Sequence, residues 1–306
     1  MRSHLDHTIS RRDFLAGTAA LALGSAFGLP AMAAPKPKKL IGSNIYGWSQ
    51  YYGREGKNVG DHVGEVLSIL HDLGYDYLEP SLDIAHPENL VRFAEQSRAR
   101  GMQAVCFYTG GNLHTAEKAD QEVDRILAAA KLVQPAGYKV VDCNPNPIGR
   151  EKTTEELKTQ AKSLERFGQG LRELGMRLAV HNHTPEMANN GREYHYNFAK
   201  TTPKNVGFCY DVHWVYRGGI GPAEVLKQYG DRIASLHLRQ GRGGVWWEDL
   251  DSGDVDYSVI VDYLRKHEMN PLLTVELAIE KETKITRTGV ENHRRSIEWV
   301  RKTFGA

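Results

Sequence analysis

Cysteine is scarce in this chain: Cys106, Cys143 and Cys209 are the three thiols among 306 residues. The count is odd and each lies in or beside an apolar run, which argues against a disulfide framework and for three small core residues. Charge of one sign is also missing. The chain holds 39 basic and 38 acidic residues, so it lacks the clustered basic surplus with which proteins bind nucleic acid. Neither G-x-G-x-x-G nor G-x-x-x-x-G-K-[ST] occurs, and an open nucleotide-binding sheet loses its main support.

The first 33 residues read as a leader rather than as part of a fold. Ser10-Arg11-Arg12-Asp13-Phe14-Leu15 precedes an uncharged stretch from Ala16 to Met32, closed by Ala31-Met32-Ala33. This is a basic region, an apolar region and a small-x-small cleavage site. The paired arginines look like a twin-arginine export signal, which a receptor reads and which is not an anchor. The stretch is rich in Ala and Gly and is interrupted by Pro30, so it makes a poor membrane span. The expected organisation is a signal at 1–33, a linker at 34–39 and one domain at 40–306, with a periplasmic or secreted product. Cleavage removes three arginines and two aspartates and leaves 36 basic and 36 acidic residues.

A phrase then repeats: an amphipathic stretch, a glycine, a short apolar run. It appears around Gly74, Gly101, Gly137, Gly175 and Gly230. Glycine suits the left-handed residue just past a helix C-terminus, so each marks a helix-to-strand connection. The strands expected from these five are Tyr75 to Leu78, Gln103 to Phe107, Tyr138 to Val141, Arg177 to Val180 and Ile233 to Leu238. Leu40 to Tyr46, Val206 to Tyr210 and Leu272 to Leu277 complete eight. Spacings such as Val63-Val66-Leu67-Leu70 and Ile126-Leu127-Ala130-Leu132 mark helices between them. Alternation of this kind gives a parallel sheet, and eight units without a linker favour a closed (β/α)8 barrel.

In such barrels the chemistry gathers at the C-terminal ends of the strands. Here those ends are Glu79, His181-Asn182-His183, Asp211-Val212-His213-Trp214, His237-Leu238-Arg239 and Glu276. Side chains alternate in direction along a strand, which puts His181, Asp211, His237 and Glu276 in phase on neighbouring strands, facing inward. Four buried ionisable groups need a compensating charge. Two imidazoles and two carboxylates suit one divalent ion such as Mn, Co, Zn or Mg.

The motifs His181-Asn-His-Thr-Pro-Glu186, Val206-Gly-Phe-Cys-Tyr-Asp-Val-His-Trp214, Arg232-Ile-Ala-Ser-Leu-His-Leu238, Gly253-Asp-Val-Asp-Tyr257 and Val275-Glu276 carry a resemblance. Over roughly residues 40 to 304 the chain resembles the sugar phosphate isomerase/epimerase family with a xylose isomerase-like TIM barrel. The resemblance implies one divalent metal held by residues ending strands five to eight, which by position are His181, Asp211, His237 and Glu276. Many relatives carry glutamate where His181 stands, so His183 or Glu186 are alternative fifth-strand ligands. A frequent His-x-Lys-Asp reads here His237-Leu238-Arg239-Gln240.

The chemistry expected of such a site is proton removal next to a carbonyl, with the metal stabilising the enediolate. Glu276 or Glu79 is the expected base; His183, His213, Trp214 and Arg239 are the expected substrate contacts. Trp48, Trp214, Trp246 and Trp247 are candidates for stacking on a sugar, and the loop from Gln240 to Gly253 reads as a lid, an oligomer contact or a free surface loop. The leading expectation is an exported metal-dependent sugar isomerase or epimerase acting on a small carbohydrate, with a homo-oligomer allowed. A lyase or dehydratase on a keto-sugar, keto-inositol or 3-keto-glycoside is the alternative, and a non-catalytic periplasmic sugar-binding protein is the rival of another class.

Overall fold

The repeated glycines do what their positions require. In the computed structural model, which describes residues 38–306, Gly74, Gly101, Gly137 and Gly175 have φ of 88°, 74°, 105° and 71°, a region that residues with a Cβ avoid. Gly230 departs from the pattern: its φ is −61° and it opens a 3-10 turn. What it supplies is space, because a Cβ there would stand 2.5 Å from the ring of Tyr263. The leader at 1–33 and most of the linker lie outside the described residues.

Eight strands form one parallel sheet: β1 (Ile41–Asn44), β2 (Tyr77–Glu79), β3 (Cys106–Gly111), β4 (Val140–Pro145), β5 (Arg177–Val180), β6 (Val206–Asp211), β7 (Ile233–Leu238) and β10 (Leu272–Val275). Their order is β2-β1-β10-β7-β6-β5-β4-β3. The two ends of that order meet through single bridges, Tyr77 to Gln103 and Ser81 to Tyr108, so the sheet curls into a nearly closed barrel whose loosest seam is β2–β3. Two further strands, β8 (Gly241–Arg242) and β9 (Val245–Trp246), make an antiparallel hairpin. Part of the loop from Gln240 to Gly253 is thus a regular hairpin. Gly243 and Gly244 both take positive φ at its two-residue turn, as such a turn demands, and Asp254 accepts both their N–H groups at 2.8 Å.

The helices are α1 (Ile45–Arg54), α2 (Val63–Leu73), α3 (Glu88–Arg98), α4 (Ala116–Val133), α5 (Thr154–Glu173), α6 (Thr184–Ala199), α7 (Val212–Arg217), α8 (Pro222–Tyr229), α9 (Tyr257–Lys266) and α10 (Gly289–Phe304). Val66, Leu67 and Leu70 of α2 are buried as their spacing implies. On α4 the buried face is Ile126, Ala130 and Val133, and Leu132 is half exposed. Steps of four and three keep residues on one helix face, and Leu132 falls off that stripe. Along β7, Leu236 and Leu238 pack into the core shared with the helices, while Ser235 and His237 face inside toward Asp142 and Glu79. This alternation separates an apolar outer layer from a polar barrel interior.

Among the described residues no helix is long and apolar enough to cross a membrane. One close approach sets the seating of α5: a Cβ on Gly168 would lie 2.0 Å from the backbone oxygen of Asn205. Gly168→Ala must push α5 off the barrel and should cost about 1–3 kcal/mol. The measurement is a urea midpoint that falls at unchanged slope; an unshifted midpoint would show that the contact has slack.

Candidate active site

At the C-terminal mouth of the barrel lies a cavity of about 400 Å³, lined by Asn44, Tyr46, Ser81, Tyr108, His181, His183, Trp214, His237, Arg239, Trp246 and Glu276. One donor atom from each of His181, Asp211, His237 and Glu276 lies within 4.8 Å of the other three, and all four residues are buried. Four successive neighbours in the sheet, β5, β6, β7 and β10, supply them. The alternation read from the sequence brings these side chains together.

Each donor is held from behind. Asp211 caps α7, its Oδ1 accepting from the backbone N–H of His213 at 3.1 Å and of Trp214 at 2.9 Å. Its Oδ2 lies 3.5 Å from His181 Nε2 and accepts from Arg239 at 3.1 Å. His237 stands between two carboxylates, with Nδ1 2.7 Å from Glu276 and Nε2 3.0 Å from Glu79. Burial opposes ionisation of Asp211 and Glu276. The Arg239 guanidinium outweighs it, helped by His181 at Asp211 and by His237 at Glu276. Asp211 ends well below the usual carboxylate range and Glu276 at about 2. Burial likewise resists charging of His237, but the Cys209 sulfur, as a hydrogen-bond acceptor, and the Glu79 carboxylate beside it raise it well above the ordinary imidazole value.

Beneath His237 lies an acid that the sequence reading missed. Asp142 of β4 is fully buried, accepts the Ser235 hydroxyl at 2.6 Å and lies 3.9 Å from His237 Nε2. Burial and then Glu79 raise it well above the usual carboxylate range. Glu79 goes the other way: burial resists, and His237 more than compensates. A single proton, resident on Asp142 and offered to Glu79, fits this pair, because two adjacent buried carboxylates do not both ionise. It also satisfies Asp142 Oδ2 and Glu79 Oε1, which have no other partner among the described residues.

Three expected residues stand elsewhere than the sequence suggested. Glu79 is fully buried and does not line the cavity; it backs the Nε2 side of His237, as a carboxylate behind a metal-binding histidine does. His213 is buried against the hairpin, 3.5 Å from Asp254 and away from the cavity. Its ring also fills the space where a Cβ on Gly241 would stand. Glu186 accepts the backbone N–H of His183 at 2.7 Å and caps α6, outside the four-donor group. His183 is not in that group either, but it lines the cavity, its ring 4.6 Å from that of His181. Burial and the neighbouring His181 lower His183 to about 3, so its imidazole is neutral at physiological pH.

Of the four tryptophans expected to stack on a sugar, Trp214 and Trp246 reach the cavity and Trp48 and Trp247 do not. Trp48 donates to Ser43 and stacks on His293 at 4.2 Å, and Trp247 carries Arg242 over its ring. Trp246 and Trp214 meet edge to face at 4.9 Å, and Arg239 lies 3.8 Å from the centroid of Trp246. All three cysteines are free and buried. Cys106 and Cys209 stand among the interior acids, where burial pushes both thiols up and removes them as nucleophiles.

A family profile described as xylose isomerase-like TIM barrel matches residues 67–303. The chain belongs to that family. Among curated relatives, the inosose dehydratase of Geobacillus kaustophilus is 26% identical over 204 residues, 61% of this chain and 65% of that protein. The inosose dehydratase of Clostridium tetani is 29% identical over 117 residues, covering 37% and 39%. The matched region thus spans less than two thirds of either relative. Solved structures extend the fold likeness over most of the chain. A sugar phosphate isomerase/epimerase from Parabacteroides distasonis superposes with a TM-score of 0.68 at 19% identity, covering 88% of this chain and 96% of that one. The 3-keto-D-glucoside 4-epimerase of E. coli gives 0.63 at 16%, covering 87% and 100%.

The four donors fit a divalent ion by chemistry and by an observation of this fold: despite the carboxylates beside them, both ring nitrogens of buried His237 lack a well-directed hydrogen bond among the described residues. Glu186 supplies a separate test of the electrostatics. Burial raises it to about 7, so the folded state holds a proton that the unfolded chain releases near pH 4.5. Its contribution is intact below pH 4.5 and is lost as pH rises through 7. Glu186→Gln keeps the capping oxygen and removes the titration. Relative to this variant, the wild-type protein should lose up to about 3 kcal/mol between pH 4.5 and 8, read from urea unfolding at each pH. Parallel curves would show that Glu186 ionises normally.

Proposed function

We propose that this protein is a divalent-metal-dependent enzyme that removes the proton next to a carbonyl of a keto-sugar or keto-polyol, and that isomerisation or epimerisation follows. The supporting observation is that Glu276 is the one carboxylate lining the cavity among the described residues, beside three buried partners able to hold a cation with it. An ion held by His181, Asp211, His237 and Glu276 would supply Lewis-acid polarisation of the carbonyl. Glu276, ionised across the physiological range, takes the proton. Arg239 Nε and Nη1 are buried donors without a partner among the described residues and are offered to a substrate oxygen. Glu276 can hand the proton on to the neighbouring carbon, and His183, a neutral imidazole on the same wall, hydrogen-bonds the hydroxyl there. Trp214 and the Trp246 indole N–H, also unpartnered, close one side against water.

Loss of water is the second reading, and two observations favour it. The curated relatives are called inosose dehydratases, and a wall with one carboxylate fits elimination more simply than epimerisation, which needs proton-handling groups on both faces of one carbon. Incubation of the Mn-supplemented protein with 2-keto-myo-inositol, D-allulose or a 3-keto-glucoside in heavy water separates the outcomes. Deuterium in a recovered isomer or epimer supports the first reading, and a dehydrated product selects the second. Glu276→Gln should reduce turnover at least about 10³-fold with the fold intact by circular dichroism. Full activity in that variant sinks both readings.

Export through the twin-arginine route is part of the proposal and rests on Arg11-Arg12 and the uncharged stretch after them. With both arginines changed to lysine, a bacterium carrying that translocase should retain the chain in its cytoplasm. Unchanged periplasmic recovery would remove this assignment.

A further inference from the structure

The oxygens a metal would need are already taken. Asp211 spends Oδ1 on the two backbone N–H groups of α7, which leaves Oδ2. Glu276 turns Oε2 toward His237, which leaves Oε1. A single atom, Arg239 Nη2, contacts both remaining oxygens, at 3.1 Å and 2.5 Å. The side chain is 1% exposed, so this is a desolvated cation between two desolvated anions, where removing the cation leaves uncompensated charge. The same guanidinium sits over Trp246, 3.8 Å from its centroid, and its Nε and Nη1 find no acceptor among the described residues. Arg239 also lines the cavity, so it has somewhere to go.

We propose that Arg239 is an exchangeable internal counter-ion: it bridges Asp211 and Glu276 in the metal-free protein, and a divalent cation binds by displacing its guanidinium toward the cavity. Trp246 supports the guanidinium in the bridging position, 3.8 Å from its ring centroid. The hairpin that carries Trp246 is fixed independently of Arg239. Glu280 accepts the Trp246 backbone N–H at 2.7 Å, Thr283 donates to the Trp246 carbonyl at 3.1 Å, and Arg217 ties Glu280 to the Gly244 carbonyl. The platform therefore stays when the guanidinium shifts, and the displaced side chain presents its free N–H groups to an incoming substrate oxygen. This inference rests on the metal reading proposed above and adds to it that metal binding is opposed by a residue of the chain itself and comes before productive substrate contact.

The test needs Mn²⁺ alone and no substrate. Chelator-stripped wild-type protein, Arg239→Gln, Arg239→Lys and Trp246→Leu are titrated by calorimetry, and each is melted with and without Mn²⁺. Arg239→Gln should bind Mn²⁺ at least about tenfold more tightly than wild type, with a metal-free melting temperature below wild type that Mn²⁺ restores. Arg239→Lys keeps the charge on a shorter stem without a planar face, and it should bind within about threefold of the Gln variant. Wild-type-like affinity in Arg239→Lys means simple charge repulsion and overturns the displacement. Trp246→Leu leaves the bridge in place and removes its support, so it should bind Mn²⁺ severalfold tighter; it carries the test alone if the metal-free Gln variant does not fold. Equal or weaker binding in the variants overturns the inference and leaves the metal reading standing. Absence of Mn²⁺ binding in every protein removes both.

Discussion

Charge compensation inside the barrel is the constraint on which this structure depends. Asp211, Glu79 and Asp142 are fully buried and Glu276 is nearly so where it lines the cavity, and isolated anions so placed would each cost several kcal/mol. Three devices cancel them. Arg239 bridges the upper pair, His237 sits between Glu79 and Glu276, and burial beside Glu79 raises Asp142 well above the usual carboxylate range, which opposes a fourth charge. The result is a stacked arrangement in which the lower acids set the charge and orientation of His237, and His237 with Arg239 sets those of Glu276.

Strand β7 is where the layers are joined. Ser235 reaches Asp142, His237 reaches Glu79 and Glu276, and Arg239, just past the strand, reaches Asp211 and Glu276. Three alternate residues of one strand thus address three depths of the same interior. Their intervening neighbours, Leu236 and Leu238, lock the strand into the apolar layer, so the spacing of the polar contacts is fixed by the pleat.

The parts of the site that were legible in the sequence are those that alternation controls. His181, Asp211, His237 and Glu276 each follow an apolar run in phase, and a period of two carries that information without knowledge of neighbours. Asp142 and Tyr108 were missed for one shared reason. The expected strands ended at Val141 and Phe107, whereas β4 and β3 continue to Pro145 and Gly111. The inward residues near a barrel's mouth are polar, so a strand's last turns look like loop to a hydrophobicity pattern. Continuing the alternation past the last apolar residue would have found both. His213 and Glu186 failed differently: each stands two or more residues past its strand, where helix α7 or α6 has begun and the period is no longer two. Gly230 shows the same limit for glycine, since absence of a side chain serves either a left-handed backbone or a close contact, and sequence alone does not say which.

The segment from Gln240 to Asp254 shows how a loop acquires a defined role. Gly253 lets the chain pass so near Gly241 that a Cβ there would lie 2.3 Å from the Gly241 oxygen. Asp254 can then accept the turn N–H groups, and its carboxylate also faces His213. Gln240 closes the base by bonding the Val255 backbone in both directions, at 3.1 Å each. Asp256 then caps α9 through the Ser258 N–H. The Gly-Asp-Val-Asp-Tyr motif is thus architecture, and its product is a rigid arm that sets Trp246 over Arg239. Tyr257 completes the hold, its hydroxyl donating to the Arg239 carbonyl at 2.7 Å. The backbone of Arg239 is thereby fixed by the same motif that places the indole, and freedom is left only to the guanidinium. A side chain fixed at its root and supported along its face, with two buried N–H groups unspent, is built to exchange one set of oxygens for another.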